Sequence, residues 1–110
     1  MSKVLFVDTK QEVTLAPGET KHLWWNNASP SNAVWSANAV PFATGSTLTG
    51  FSQDTQIEIT RLWRRYQVIE HAPPNSQISN TTEETEIHYE VKNIGGSAAK
   101  FHIVLSAIYA

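Results

Sequence analysis

The sequence contains no cysteine, few charged residues and no long hydrophobic run. The absence of cysteine excludes disulfide bonds, thiol chemistry and cysteine-based zinc sites. No stretch approaches the roughly 20 apolar residues of a membrane-spanning helix, and the apolar run after Met1 is too short for a signal peptide. Two localisations fit these features: the cytoplasm, or export without a visible signal peptide.

Charged residues make up 16% of the chain, below the usual proportion of about a quarter, and the formal net charge is −2. Nucleic-acid binding requires a basic surface that this composition does not provide. A surface of uncharged polar residues with exposed aromatic rings suits sugars or other proteins. We therefore expect a glycan, another protein or a second copy of the chain as partner.

The 110 residues predict one domain, spanning 1–110, that is built only of strands. Short segments with alternating polar and apolar residues recur between turn signals, and no segment shows helical periodicity. This pattern predicts an all-β, antiparallel two-sheet β-sandwich of about seven strands, with immunoglobulin-like or jelly-roll topology.

Local signals in the first part of the chain predict two turns. One lies at Asp8–Lys10, and the other is a type II turn centred on Pro17 and Gly18. Beyond them, alternation along a strand sends Trp24 and Trp25 to opposite sheet faces, one of them into the core.

The run 56–70 holds all three arginines and is the longest strand-like segment without glycine or proline. Its apolar residues change parity along the run, which predicts a β-bulge near Thr60 and Arg61. With that bulge, Trp63 lies between Arg61 and Arg65 on the outer face. We predict an edge strand at 46–51 and a polar loop at 78–85.

Polar and apolar residues alternate in segments 87–91 and 101–109, which lie on either side of Gly95 and Gly96. This pattern predicts a C-terminal hairpin. An odd-length loop would place Glu90 opposite Lys100. The last strand carries apolar residues on both faces, indicating a central position or a subunit contact. The segment 91–103 resembles the hairpin of immunoglobulin-like adhesion modules (CARDB type). That resemblance implies a sandwich and carries no functional residues with it.

The predicted hairpin would also place His88 opposite His102, with Glu86 or Glu90 near enough to complete a metal site. The simpler interpretation makes both histidines solvent-facing strand residues, so we predict neither metal nor cofactor. The sequence has no nucleophile elbow and no phosphate loop. Because its carboxylates do not form an evident catalytic pair, we predict that the protein is not an enzyme.

Four tryptophans are many for this length, and alternating strands cannot all direct them inward. Trp63 with its two arginines permits three interpretations: shielding of the ring by arginine, an oligomer interface, or a ligand surface. The predicted ligand-binding residues are Trp63, Arg61, Arg65, Trp24, Trp25, Asn26 and Asn27.

These observations predict a non-enzymatic, lectin-like module that binds carbohydrate as a homo-oligomer. The alternative is an assembly subunit that binds itself or a partner protein through aromatic and C-terminal strand surfaces. A small metal-dependent hydrolase is the third hypothesis.

Overall fold

The computed structural model describes residues 2–26, 28, 32–43, 52–71 and 80–110, in which the regular secondary structure consists of strands joined by turns and loops, without helix. The all-β prediction is confirmed, with six strands in this part of the chain instead of about seven. The edge strand predicted at 46–51 lies outside the described residues. The strands are β1 (Lys3–Leu15), β2 (Thr20–Trp25), β3 (Val34–Phe42), β4 (Ile57–His71), β5 (Asn80–Asn93) and β6 (Ala99–Tyr109).

The strands form two antiparallel sheets of three, in the orders β1-β6-β3 and β2-β5-β4. The prediction of two antiparallel sheets is confirmed, as is the central position of the last strand. No helix in the described part of the chain has the length and hydrophobicity needed to cross a membrane.

The predicted C-terminal hairpin is wrong, because β5 and β6 belong to different sheets. Glu90 consequently does not lie opposite Lys100. It pairs with Arg61 at 3.6 Å, whereas Lys100 pairs with Glu12 at 3.0 Å. The loop that holds Gly95 and Gly96 carries the chain from one sheet to the other.

The buried faces of both sheets contribute to one hydrophobic core, because alternate side chains of each strand point inward. Phe101, Ile103 and Leu105 of β6 are fully buried, as are Tyr89 and Val91 of β5. The central strand of each sheet therefore supplies most of the core, and the outer faces are left for other roles.

The turn predicted at Asp8–Lys10 is a bulge within one continuous strand. The pairing of β1 with β6 shifts register between Asp8 and Glu12, and Lys10 has a φ of 60°. The Lys10 amide donates to the Asp8 carboxylate at 3.0 Å. Asp8–Lys10 thus has the local hydrogen bond of a turn, but the chain does not reverse there, because β6 pairs with β1 on both sides of it.

The type II turn is confirmed by the φ of 82° at Gly18 and by a 3.0 Å bond from the Glu19 amide to the Ala16 carbonyl. It connects β1 to β2, which lie in different sheets. The turn also packs on the end of β5, where the Gly18 amide donates to the Asn93 carbonyl at 2.8 Å.

The β4 bulge is confirmed, since the pairing with β5 shifts between Ile59 and Arg61. Beyond it, β4 and β5 continue as a two-stranded arm, residues 66–71 paired with 80–85, whereas β2 pairs only with residues 87–92 of β5. The loop predicted at 78–85 is therefore wrong from Asn80 onward. The Cα radius of gyration is 18.8 Å, against about 13 Å for a compact domain of similar length.

Replacement of Gly95 by alanine is expected to destabilise the fold. Its Cβ would lie 2.8 Å from the Asp54 carbonyl oxygen and 2.9 Å from the Gln56 amide nitrogen, both backbone atoms. We expect a loss of about 1–3 kcal/mol in the free energy of unfolding, measured by urea denaturation. The control is Gly96→Ala, since a Cβ there meets nothing within 4 Å. Equal stabilities of the two variants would contradict the prediction.

Candidate functional site

The outer face of the β2-β5-β4 sheet carries a cluster of aromatic and charged side chains. Cross-strand pairing places Trp24, His88 and Trp63 in one row, one residue from each strand. The neighbouring row contains His22, Glu90 and Arg61. We call His22, Trp24, Trp63 and His88 the histidine–tryptophan cluster.

The two histidines of this cluster are joined directly. His22 Nε2 lies 2.7 Å from His88 Nδ1, and His88 Nε2 lies 3.0 Å from a carboxylate oxygen of Glu86. Arg65 reaches the same oxygen at 3.3 Å. The four residues form a chain of polar contacts from exposed His22 through buried His88 to the ion pair at the other side of the row.

The tryptophan rings pack against these histidines. The Trp63 ring is stacked at 5.0 Å on His22 and at 5.2 Å on His88, and the Trp24 ring lies 6.1 Å from His88. The guanidinium of Arg61 lies 4.6 Å from the centre of the Trp63 ring. The cluster is therefore a packed stack of rings with cation–π contact at one end.

The hydrogen bond from His88 lowers the pKa of Glu86 from its usual range; desolvation opposes this shift, and the hydrogen bond and charge of Arg65 add to it. The carboxylate is thus favoured in its charged form. An ionised Glu86 accepts a hydrogen bond from His88 Nε2–H, and in the neutral ring this leaves Nδ1 as the nitrogen with the lone pair.

Most predicted binding residues are on the outer face of this sheet. Arg61, Trp63 and Arg65 share one face because they alternate along β4, and the bulge that precedes them makes this the outer face. Trp24 is 48% exposed, and Trp25 packs against the core, which confirms that the two rings face opposite ways. Asn26 follows β2, and Asn27 lies outside the described residues.

Arg61 and Arg65 are engaged within the molecule, not directed at solvent alone. Arg61 pairs with Glu90 at 3.6 Å, and Arg65 pairs with Glu86 at 3.3 Å. The Arg61–Trp63 contact is the shielding arrangement that was one of the three interpretations. Exposed ion pairs of this kind contribute little to stability.

A groove of about 530 Å³ lies beside the cluster, lined by Gln11, Leu23, Trp24, Trp25 and Asn26. Gln11 is held in place by a 2.9 Å bond from its Nε2 to the Trp24 carbonyl and by a bond from the Tyr89 hydroxyl to its Oε1. Burial raises the pKa of Tyr89 to about 12, so this hydroxyl stays a donor. Gln11 was not among the predicted binding residues, because it reaches the groove only through the irregularity in β1 between Asp8 and Glu12.

The predicted pairing of His88 with His102 is wrong. The two residues belong to different sheets, so no common face can bring them together. His102 instead lies 4.0 Å from Asp8 and stacks on Phe42 at 5.5 Å. The partner of His88 is His22, which no sequence signal indicated, because β2 and β5 are far apart in the chain. In the described part of the chain, no group of three histidine or acidic side chains could hold a metal ion.

The outer face of the β1-β6-β3 sheet has a different character. One row across its three strands is Val4, Ile108 and Val34, exposed by 58%, 53% and 69%. Phe6, two residues after Val4 on the same face, is 72% exposed. We call Val4, Phe6, Val34 and Ile108 the outer patch.

Comparison of this chain with protein-family models, with curated proteins and with solved structures found no match.

Glu86→Gln is expected to reduce the increase in folding stability that the wild type shows between acidic and neutral pH. A carboxylate whose pKa is lowered on folding stabilises the folded state above its unfolded pKa, and this stabilisation is lost as pH falls through the folded pKa. The loss in wild type should therefore begin near the ordinary value of 4.5 and continue below it. Thermal melting from pH 7 to pH 3 should show a smaller pH dependence in the variant.

The control is Glu84→Gln, an exposed position two residues earlier on the same strand. It should leave the pH dependence of the melting temperature as in wild type. If both variants retain the wild-type slope, the Glu86–His88 bond is not coupled to folding.

Proposed function

We propose that this protein is a non-enzymatic assembly subunit that associates with a second copy of itself through the outer patch. The observation that carries the proposal is the exposure of Val4, Phe6, Val34 and Ile108, each more than half exposed, on adjacent strands of one sheet. Contiguous apolar patches on small soluble domains mark interaction surfaces.

The chemistry of the outer patch favours a copy of the same chain as partner. In a two-fold dimer the same patch contacts itself, so like charges within it would repel. The row next to Val4–Ile108–Val34 consists of Phe6, Ser106 and Ser36, and neither row holds a charge. The following row begins with Asp8, and Glu12 and Lys100 lie toward the far end of the face.

Burial of the outer patch alone does not provide enough free energy for a stable dimer. Complete burial of one such side chain is worth about 1.5–3 kcal/mol. A dimer would bury four of them from each copy, each about half exposed beforehand, which gives on the order of 10 kcal/mol in total. Association itself costs about 4–15 kcal/mol. The patch alone thus supports a weak dimer, and a stable one needs adjoining surface.

Adjoining surface is present at the edge of the patch. Val34, Trp35 and Leu62 line a groove of about 350 Å³ between β3 and β4. Beyond it, Tyr66 and Val68 of the arm are 57% and 51% exposed, on the face of β4 that points inward nearer the core. Val34 belongs to both the outer patch and the groove, so the two surfaces are continuous. Arg64, which donates to the Ala33 carbonyl, lies between Leu62 and Tyr66, so a second copy would cover apolar surface on both sides of one arginine.

We also infer that the sheets follow a jelly-roll arrangement, not an immunoglobulin-like one. The inference rests on nested pairing, in which β1 pairs with β6 and β2 pairs with β5 in the other sheet. Such nesting is expected when one long antiparallel ribbon rolls up into two sheets. The strands of an immunoglobulin-like sandwich pair in a different order, without this nesting.

Phe6→Asp is expected to abolish self-association. The substitution places a charge at the most exposed residue of the outer patch, where two copies would bring it against itself. Light scattering over a range of concentrations should give a dimer or larger discrete oligomer for wild type and a monomer for the variant. Phe6 is 72% exposed, so its replacement should leave the folded monomer intact.

The matched control is Thr14→Asp, an exposed position on the same strand and face but at the charged end, where Thr14 pairs with Lys100. It should keep the wild-type mass. A wild type that is monomeric at every concentration, or a Phe6→Asp variant of unchanged mass, would contradict the proposal.

A second function, carbohydrate binding, is favoured by the groove at Trp24, Trp25, Asn26 and Gln11. Trp24 offers an exposed ring for stacking on a sugar, and the amides of Asn26 and Gln11 offer donors and acceptors for hydroxyl groups. Trp63 suits this role less well, since its ring already packs on His22, His88 and Arg61.

Trp24→Ala is expected to weaken glycan binding without changing the oligomeric state. A glycan array would identify the ligand, and isothermal titration should show an affinity loss of up to about tenfold, since stacking on an aromatic ring is worth about 0.5–1.5 kcal/mol. The control Phe42→Ala, an aromatic residue on the outer face of the other sheet, should bind as wild type. The absence of any glycan ligand for wild type would overturn this second function.

A further inference from the structure

We propose that His22 and His88 form a two-histidine site for a divalent late first-row transition-metal ion, such as Cu²⁺, Ni²⁺ or Zn²⁺. The proposal is independent of self-association and of glycan binding, since it concerns ring nitrogens that neither function uses.

The first support is the convergence of the two rings. Cross-strand pairing sets His22 opposite Glu90 and Trp24 opposite His88, so the histidines occupy diagonal positions on neighbouring strands. Their rings nevertheless turn toward each other, with His22 Nε2 and His88 Nδ1 2.7 Å apart. Diagonal neighbours on a sheet are within reach of each other when the side chains are long or aromatic.

The second support is the orientation of His88. Its Nε2 lies 3.0 Å from the Glu86 carboxylate, which is itself held by Arg65. Histidines that bind metals commonly donate their other ring N–H to a carboxylate, and this fixes which nitrogen presents its lone pair. In His88 that nitrogen is Nδ1, the one that faces His22.

A metal ion fits between the rings after a small movement. Bonds of about 2.0–2.1 Å from the ion to each histidine nitrogen place the two nitrogens about 3 Å apart at tetrahedral or square-planar angles. The present 2.7 Å separation must therefore open by a few tenths of an ångström. His22 can supply this movement, because it is exposed and lies on an edge strand.

The donor set selects the class of ion. Imidazole nitrogens suit copper, nickel and zinc, whereas calcium and magnesium require oxygen ligands. Within the described residues no third histidine or acidic group joins the two histidines in a metal-binding set. Water or a partner molecule would fill the remaining coordination positions, so the site binds an ion reversibly and does not serve as a structural centre.

The experiment is a titration of tag-free protein with Cu²⁺, followed by tryptophan fluorescence. Trp63 stacks on both histidine rings at 5.0–5.2 Å, so a bound paramagnetic ion should quench it. We expect saturable quenching at one ion per chain. Isothermal titration with Zn²⁺ should give the same stoichiometry.

His22→Gln is expected to weaken binding at least tenfold, and it should fold normally because His22 is exposed. His88→Gln should have the same effect, and Glu86→Gln should weaken binding about 10–100-fold. The matched control is His102→Gln, a histidine on the other sheet, which should bind as wild type. Circular dichroism would verify that each variant is folded.

Three outcomes would overturn the proposal. One is quenching that never saturates in wild type, and another is wild-type affinity in both His22→Gln and His88→Gln. The third is an equal loss of affinity in His102→Gln, since this would place the bound ion elsewhere. A histidine pair that is only hydrogen-bonded would give the first or second result.

Discussion

The structure depends on the hydrogen bonds of Asn93, at the point where the chain leaves one sheet for the other. Its buried side-chain amide donates to the Leu15 carbonyl at 3.1 Å and to the Ser97 carbonyl at 2.8 Å, and its Oδ1 accepts from the Gly95 amide at 3.0 Å. Its backbone amide donates to the Glu19 carbonyl at 3.0 Å. A crossing between sheets leaves backbone groups without ladder partners, and a single asparagine satisfies them because its amide offers both donors and an acceptor.

The two sheets present outer faces of opposite chemistry. The β1-β6-β3 sheet ends in an uncharged apolar patch, whereas the β2-β5-β4 sheet carries stacked rings bordered by two ion pairs. Such separation suits a subunit that buries one face in an assembly and keeps the other available for a small ligand or an ion.

Bulges in the two long strands position the groove and the cluster. The irregularity between Asp8 and Glu12 brings Gln11 against Trp24, and the one between Ile59 and Arg61 gives Trp63 the parity of His88. The one extra residue in β4 changes the face to which later side chains point, and neither irregularity ends its strand. The positions of Gln11 and Trp63 are therefore set by two irregularities, with two extra residues in β1 and one in β4.

Short-range chemistry was readable from the sequence by itself. Pro17 and Gly18 specify a type II turn, the parity change after Ile59 specifies a bulge, and alternation separates Trp24 from Trp25. Each of these depends on residues that are neighbours in the chain. They were enough to give the all-β class, the two antiparallel sheets and the shared face of Arg61, Trp63 and Arg65.

Only the tertiary structure decided which strands pair. Gly95 and Gly96 have the composition of a hairpin turn, yet they join strands of different sheets because Asn93 ties the end of β5 to the turn between β1 and β2. The contact between His22 and His88 spans 66 residues of chain. Strand alternation defines which way a side chain points but not which strand lies beside it, so long-range pairing followed from packing of the whole core.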